Sequence, residues 1–230
     1  MIASGGPGPF LLAQAVADPA TGGPAVAAFV SAFLARILLD PPSEGLQEAL
    51  ERRPEVPLLD GLDGRVETIA RLYRETDESE LAKEWTRLFV GPRAAPCRPW
   101  HDTWESDDAS PRLMGPKHES MLAFYRRAEL EPVHAASQPA DHVGLVLALF
   151  AALAARAAEG EKIQPDIDAL WKAHVAPWIP RFAETLVAEA RVPALAAAGR
   201  LLLDGVSGST SISISRGSAG ERYQAEAHDR

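Results

Sequence analysis

Hydrophobic residues recur along most of this chain at helical rather than strand spacing. Val26, Phe29, Val30, Phe33, Leu34, Ile37 and Leu38 share one stripe after Pro24, and Asp40-Pro41-Pro42 closes it. A shorter helix, weakened by Gly45, is predicted from Ser43 to Arg52, followed by a turn-rich connection over 54–64. Leu62, Val66, Ile69, Leu72 and Tyr73 define the next helix, and Thr76-Asp77-Glu78-Ser79 supplies cap residues for its successor. There Leu81, Trp85, Leu88 and Phe89 fall at i, i+4, i+7 and i+8, with Lys83, Glu84 and Arg87 on the other side. Gly91-Pro92 stops that helix, since Gly accepts a left-handed cap and Pro cannot extend the hydrogen-bond ladder. Trp85 and Phe89 make it a heavy anchor, each able to bury about 150–250 Å².

The stretch 91–116 reads as a long loop with prolines at 92, 96, 99, 111 and 116. Trp100 and Trp104 within it argue for order, because exposing them is costly. A helix is predicted from Pro116 to about Leu130, then a connection ending in Gln138-Pro139-Ala140. Asp141 is placed as an N-cap or first-turn acid for a segment that carries no polar side chain from Val143 to Ala155, the mark of a central buried helix. Pro165 opens a helix with the stripe Ile167, Leu170, Trp171, His174, Val175 and Trp178, kinked or split by Pro177 and Pro180. Two final helices cover 182–190 and 193–203, and the Ser-Ile alternation at 211–215 has no partner strand. The expected fold is all-α: a single-domain helical bundle over 24–204, with disordered tails at 1–23 and 205–230.

Charge and composition narrow the function. A net charge of −9 leaves no basic stripe to neutralise phosphates, so nucleic acid is excluded as a partner and a basic one is favoured. Cys97 is the sole cysteine, which rules out an internal disulfide and a cysteine-based zinc site. No basic segment precedes the short apolar run Phe10-Leu11-Leu12, and no run approaches the roughly 20 apolar residues of a membrane span. These features point to the cytoplasm. His101-Asp102 and Asp141-His142 invite comparison with metal-dependent helical hydrolases, but no histidine precedes His101 and tight His-x-x-x-His or Glu-x-x-His spacing is missing. Phosphate-binding and dinucleotide motifs are missing too, so no catalytic, metal or cofactor site is assigned.

Two motifs in order carry a family resemblance: Trp85-x-x-Leu88-Phe89-x-Gly91-Pro92, and Pro139-Ala140-Asp141-His142-Val143-Gly144-Leu145. Together with Trp171-x-x-His174-x-x-x-Trp178, they resemble the TorD/DmsD/NarJ family of redox-enzyme maturation chaperones, over roughly 24–204. The resemblance implies a cytoplasmic, system-specific chaperone that is not an enzyme. Its partners would be the twin-arginine signal peptide and the apo form of a molybdopterin-containing oxidoreductase subunit, whose cofactor insertion it would aid and whose export it would delay. A monomer and a helix-swapped dimer are both compatible with this. The client-binding residues it implies are Trp85, Leu88, Phe89, Gly91, Pro92, Trp100, Pro139, Asp141 and His142. Candidate acids around an apolar groove are Asp77, Glu78, Glu105, Asp107, Asp108 and Asp141, which would suit arginines followed by an apolar helix-former. A metal-dependent helical hydrolase and a generic helical adaptor are the alternatives.

Overall fold

Ten α-helices and one π-turn, joined by loops, make up the described part of the chain. The computed structural model describes residues 12, 16, 23–51, 62–91, 95–105, 113–133 and 138–207. The helices are α1 (Gly23–Leu39), α2 (Glu44–Glu51), α3 (Leu62–Glu75), α4 (Glu78–Phe89), α5 (Asp102–Glu105), α6 (Pro116–Arg127), α7 (Val143–Ala158), α8 (Gln164–Leu170), α9 (Ile179–Glu189) and α10 (Pro193–Ser207). Among the described residues the sole extended pairing is an isolated antiparallel bridge between Trp100 and His142.

The centre is built as the pattern requires. α7 buries Val143 to Leu147, Leu149, Phe150, Ala151, Leu153 and Ala154, and its most extensive packing is against α1. The two helices meet so closely that a Cβ on Gly144 would lie 2.7 Å from Leu39 Cβ and 3.1 Å from the Ala35 carbonyl oxygen. α9 and α10 pack on one another, and α10 also lies against α3, where Arg65 and Asp204 form an ion pair. Of the terminal segments 1–23 and 205–230, Leu12 and Val16 are buried in the core, Leu12 against Gly205, and α10 runs on to Ser207. The remainder of both segments lies outside the described residues, apart from Gly23 at the start of α1.

Several local features differ from the sequence reading. α6 ends at Arg127 rather than near Leu130, because Glu129 turns left-handed at φ 56° and the Leu130 N–H bonds back to the Tyr125 carbonyl at 3.0 Å. The loop after α4 contains the short α5. After Leu170 the chain widens into a π-turn over Trp171–Val175, with the Ala176 N–H reaching the Trp171 carbonyl at 2.9 Å. Pro177, which has no N–H to donate to the ladder, follows at once, and Pro180 sits in the first turn of α9. The cap of α7 is His142 and not Asp141: His142 Nδ1 accepts the Gly144 N–H at 3.1 Å. Asp141 lies one residue too early to reach those amides, and its carboxylate turns elsewhere.

Candidate functional site

The two sequence motifs meet at a junction of three elements: the segment 95–105, the turn 138–143, and the start of α6. Backbone pairing sets the register. The Val143 N–H donates to the Pro99 carbonyl at 2.7 Å, the His101 N–H to the Asp141 carbonyl at 3.2 Å, and the His142 N–H to the Pro139 carbonyl at 3.1 Å. Trp100 and His142 therefore lie side by side, their rings edge to face at 6.0 Å.

Side chains then lock the third element. α6 begins Gly115-Pro116, so its first amides have no capping side chain of their own. Asp102 supplies the cap from a distance, its carboxylate accepting the Lys117 N–H at 3.1 Å and the His118 N–H at 3.4 Å. Glycine at 115 leaves room for this cap: a Cβ there would come within 2.7 Å of Asp102 Oδ2 and push the carboxylate aside. Asp141, fully buried, accepts the Asp102 N–H through Oδ2 at 3.0 Å. His118 Nδ1 accepts the Ala140 N–H at 2.8 Å, closing the ring of contacts. Burial pushes the Asp141 carboxyl above its ordinary pKa, the Asp102 amide only partly opposing this. Asp141 Oδ1 and the Trp100 indole N–H are buried without a hydrogen-bond partner among the described residues. Unmade bonds of this kind cost about 1–3 kcal/mol each, and two at one junction are concentrated at the motif.

Behind the junction runs a polar chain, exposed at Glu105 and buried at its two histidines. Glu105 Oε1 lies 3.1 Å from His101 Nε2, His101 Nδ1 lies 3.4 Å from His174 Nδ1, and His174 Nε2 lies 2.9 Å from Ser120 Oγ. An ionised Glu105 can only accept, so His101 carries its proton on Nε2 and leaves Nδ1 as acceptor. His174 therefore donates from Nδ1 and accepts the Ser120 hydroxyl proton at Nε2. Both rings are fully buried, and burial above all, with Lys117 adding to it, depresses each pKa to about 4. Trp178 stacks on His101 at 5.2 Å and donates its indole N–H to the His174 carbonyl at 2.7 Å, using a carbonyl within the π-turn.

The structure brings together Trp100, Pro139, Asp141 and His142, and puts Trp85, Leu88 and Phe89 in the core, 7%, 0% and 1% exposed. The Trp85 indole donates to the Ile37 carbonyl at 3.2 Å, satisfying a group in the last turn of α1 that has no intrahelical donor. Phe89 packs between Trp85 and Phe182, and the Leu88 carbonyl accepts the Cys97 N–H at 3.0 Å. These residues thus hold α1 and the loop in place. Gly91, left-handed at φ 62°, ends α4; Pro92, Asp107 and Asp108 lie outside the described residues. Of the other acids, Asp77 caps α4 by accepting the Glu80 N–H at 3.1 Å. No motif singles out His118 or Ser120, and Asp102 stands out only as half of the His101-Asp102 pair. The signal for Asp102 was a Gly-Pro helix start with no cap residue.

Neighbouring acids and histidines do not converge: His101 turns to His174, Asp102 to α6, Asp141 to Asp102, and His142 to Gly144. Among the described residues, no three of His, Cys, Asp or Glu are placed to hold a metal ion, and no helix is long and apolar enough to cross a membrane. The Cys97 thiol is buried and, mainly for that reason, pushed up to about 12.

The helical fold is also found in a known class. A crystal structure assigned to a redox enzyme maturation protein from Archaeoglobus fulgidus superposes with a TM-score of 0.52 at 18% identity, covering 76% of this chain and 90% of that one, which shows the shared fold. Residues 57–184 match the nitrate reductase delta subunit family, and the chain belongs to that family, the one that includes the TorD and DmsD chaperones. The Tat proofreading chaperone DmsD of Salmonella typhi is 31% identical over 133 residues, 58% of this chain and 62% of its own. The chaperone protein TorD of Shewanella loihica is 34% identical over 88 residues, 37% of this chain and 42% of its own. The matched part thus spans less than two thirds of either relative.

Proposed function

We propose that this chain is a system-specific chaperone for a molybdopterin-containing oxidoreductase, which binds the client's twin-arginine signal peptide, its apo catalytic subunit, or both. It acts in the cytoplasm and turns over no substrate. The observation that carries the reading is the junction itself: the two family motifs meet in one many-bonded site, with Trp100 partly exposed and paired to the buried His142 beside Asp141. A frame held by this many bonds lowers the ordering cost of binding a peptide against it. Family membership and the chaperone names of the relatives support the same reading. Of the motif residues at the junction, the half-buried Trp100 faces the client, and the buried Pro139, Asp141 and His142 fix its place from beneath. Trp85, Leu88, Phe89 and Gly91 act by positioning it.

Titration of the purified protein with a synthetic twin-arginine signal peptide tests this, read by calorimetry and by tryptophan fluorescence. Saturable binding at micromolar peptide, weakened by Trp100→Ala with the fold intact, is the expected result. A folded protein that gives neither heat nor a fluorescence change at tens of micromolar peptide overturns it.

A further inference from the structure

The acids at the junction are not equally available. In segments 95–105 and 138–143 they are Asp102, Glu105 and Asp141. Asp102 is spent on the first amides of α6, and Asp141 is fully buried. Glu105 alone of the three stands in solvent, its side chain 46% exposed. It is also held from behind: His101, fully buried and fixed by Trp178 and His174, donates to Glu105 Oε1 at 3.1 Å. From the front the same oxygen takes the Lys117 ammonium at 2.8 Å. No partner for Oε2 exists among the described residues. Burial works to raise the Glu105 pKa, but Lys117 and His101 outweigh it and leave it lowered, so the carboxylate is charged when it meets a ligand.

Just before Lys117 the chain presents apolar surface. Leu113 and Met114 are 49% and 61% exposed, and Met114 is held outward on a left-handed backbone at φ 60°. A carboxylate with one oxygen unpartnered among the described residues, beside an ammonium that can leave and that follows exposed apolar side chains in the chain, matches a guanidinium followed by apolar residues. Arginine offers a planar fork that engages both carboxylate oxygens, whereas lysine is a point charge that occupies one. Resting on the functional reading above, we propose that Glu105 is the seat for an arginine of the client peptide, that Lys117 fills this seat in the free protein, and that Leu113 and Met114 receive the apolar residues beyond it.

Lys117 is then a competitor built into the chain, and removing it separates this account from a structural one. The test uses the full chain, a peptide with two arginines before its apolar stretch, and the same peptide with both arginines replaced by glutamine. Lys117→Met should bind the arginine peptide about three- to fivefold more tightly, and Glu105→Gln less tightly by a similar factor, the range of an exposed ion pair. Neither substitution should change binding of the glutamine peptide. Circular dichroism and melting show that each variant is folded. Lys117→Met binding the arginine peptide no more tightly than wild type, or Glu105→Gln weakening both peptides equally, would overturn the proposal while leaving the chaperone reading in place. Failure of the wild-type protein to bind either peptide overturns both.

Discussion

Replacing Gly144 by alanine tests the packing that positions the site. Alanine is the better helix former by about 1 kcal/mol, so propensity alone predicts stabilisation. The structure predicts the reverse. A Cβ at 144 would sit 2.7 Å from Leu39 Cβ, 3.1 Å from the Ala35 carbonyl oxygen and 3.2 Å from Leu39 Cα. Ordinary carbon contacts lie at about 3.5–4.0 Å. None of the three atoms is the end of a flexible side chain, so relief requires α1 and α7 to separate. Overpacking of this kind costs about 1–3 kcal/mol, and separating the most extensively packed helix pair falls at the upper end. The net expectation is a loss of about 1–2 kcal/mol. The same substitution at Gly64, in the first turn of α3, meets nothing within 4 Å and should stabilise the protein by up to about 1 kcal/mol. Urea denaturation of both variants, with slopes compared to wild type, measures the contrast. Gly144→Ala as stable as wild type or more so would refute the close helix contact.

Phe89→Ala should lower stability by about 3–5 kcal/mol by urea denaturation, since the ring is fully buried against Trp85 and Phe182. Asp102→Ala should cost about 1–2 kcal/mol, having removed the acceptor of two α6 amides, with early exchange of the Lys117 and His118 N–H groups as its specific signature in hydrogen-exchange NMR. Acid should destabilise the fold through His101 and His174: the unfolded chain takes up protons near pH 6.5, whereas the folded rings hold out to about pH 4. Stability from this source is therefore complete above about pH 6.5 and is lost as pH falls to about 4, by about 3 kcal/mol for a single ring. Asp141, raised by burial, works in the opposite sense, so the check is the flatter pH dependence of His101→Gln/His174→Gln against wild type.

The helices were legible because their causes are local. α7 announced itself by an unbroken apolar run, α4 by a cap, an apolar stripe and a Gly-Pro stop. The start of α6 at Pro116 and the split at Pro177 and Pro180 follow from the missing amide of proline. The junction was legible only in part. Trp100, Pro139, Asp141 and His142 stand out in the sequence, but their mutual placement depends on a bridge between residues far apart in the chain. The exchange of roles between Asp141 and His142 at the α7 cap turns on a single residue of register, set by the Pro99 carbonyl that takes the Val143 amide. The His101–His174 pair joins two segments with no shared pattern, and nothing local to either one signals it. Trp85, Leu88 and Phe89 show the converse limit: an apolar stripe specifies burial, and cannot distinguish a groove wall from the support beneath it.

The central claim is that the client meets the protein at the junction of segments 95–105 and 138–143 with the start of α6. Hydrogen–deuterium exchange of the full chain, with and without a saturating twin-arginine signal peptide, tests it most directly. Added protection is expected across 99–105, 113–118 and 138–144, with α3 and α10 unchanged. Protection confined to other helices, or a bound peptide that leaves all three of these segments unprotected, would contradict it.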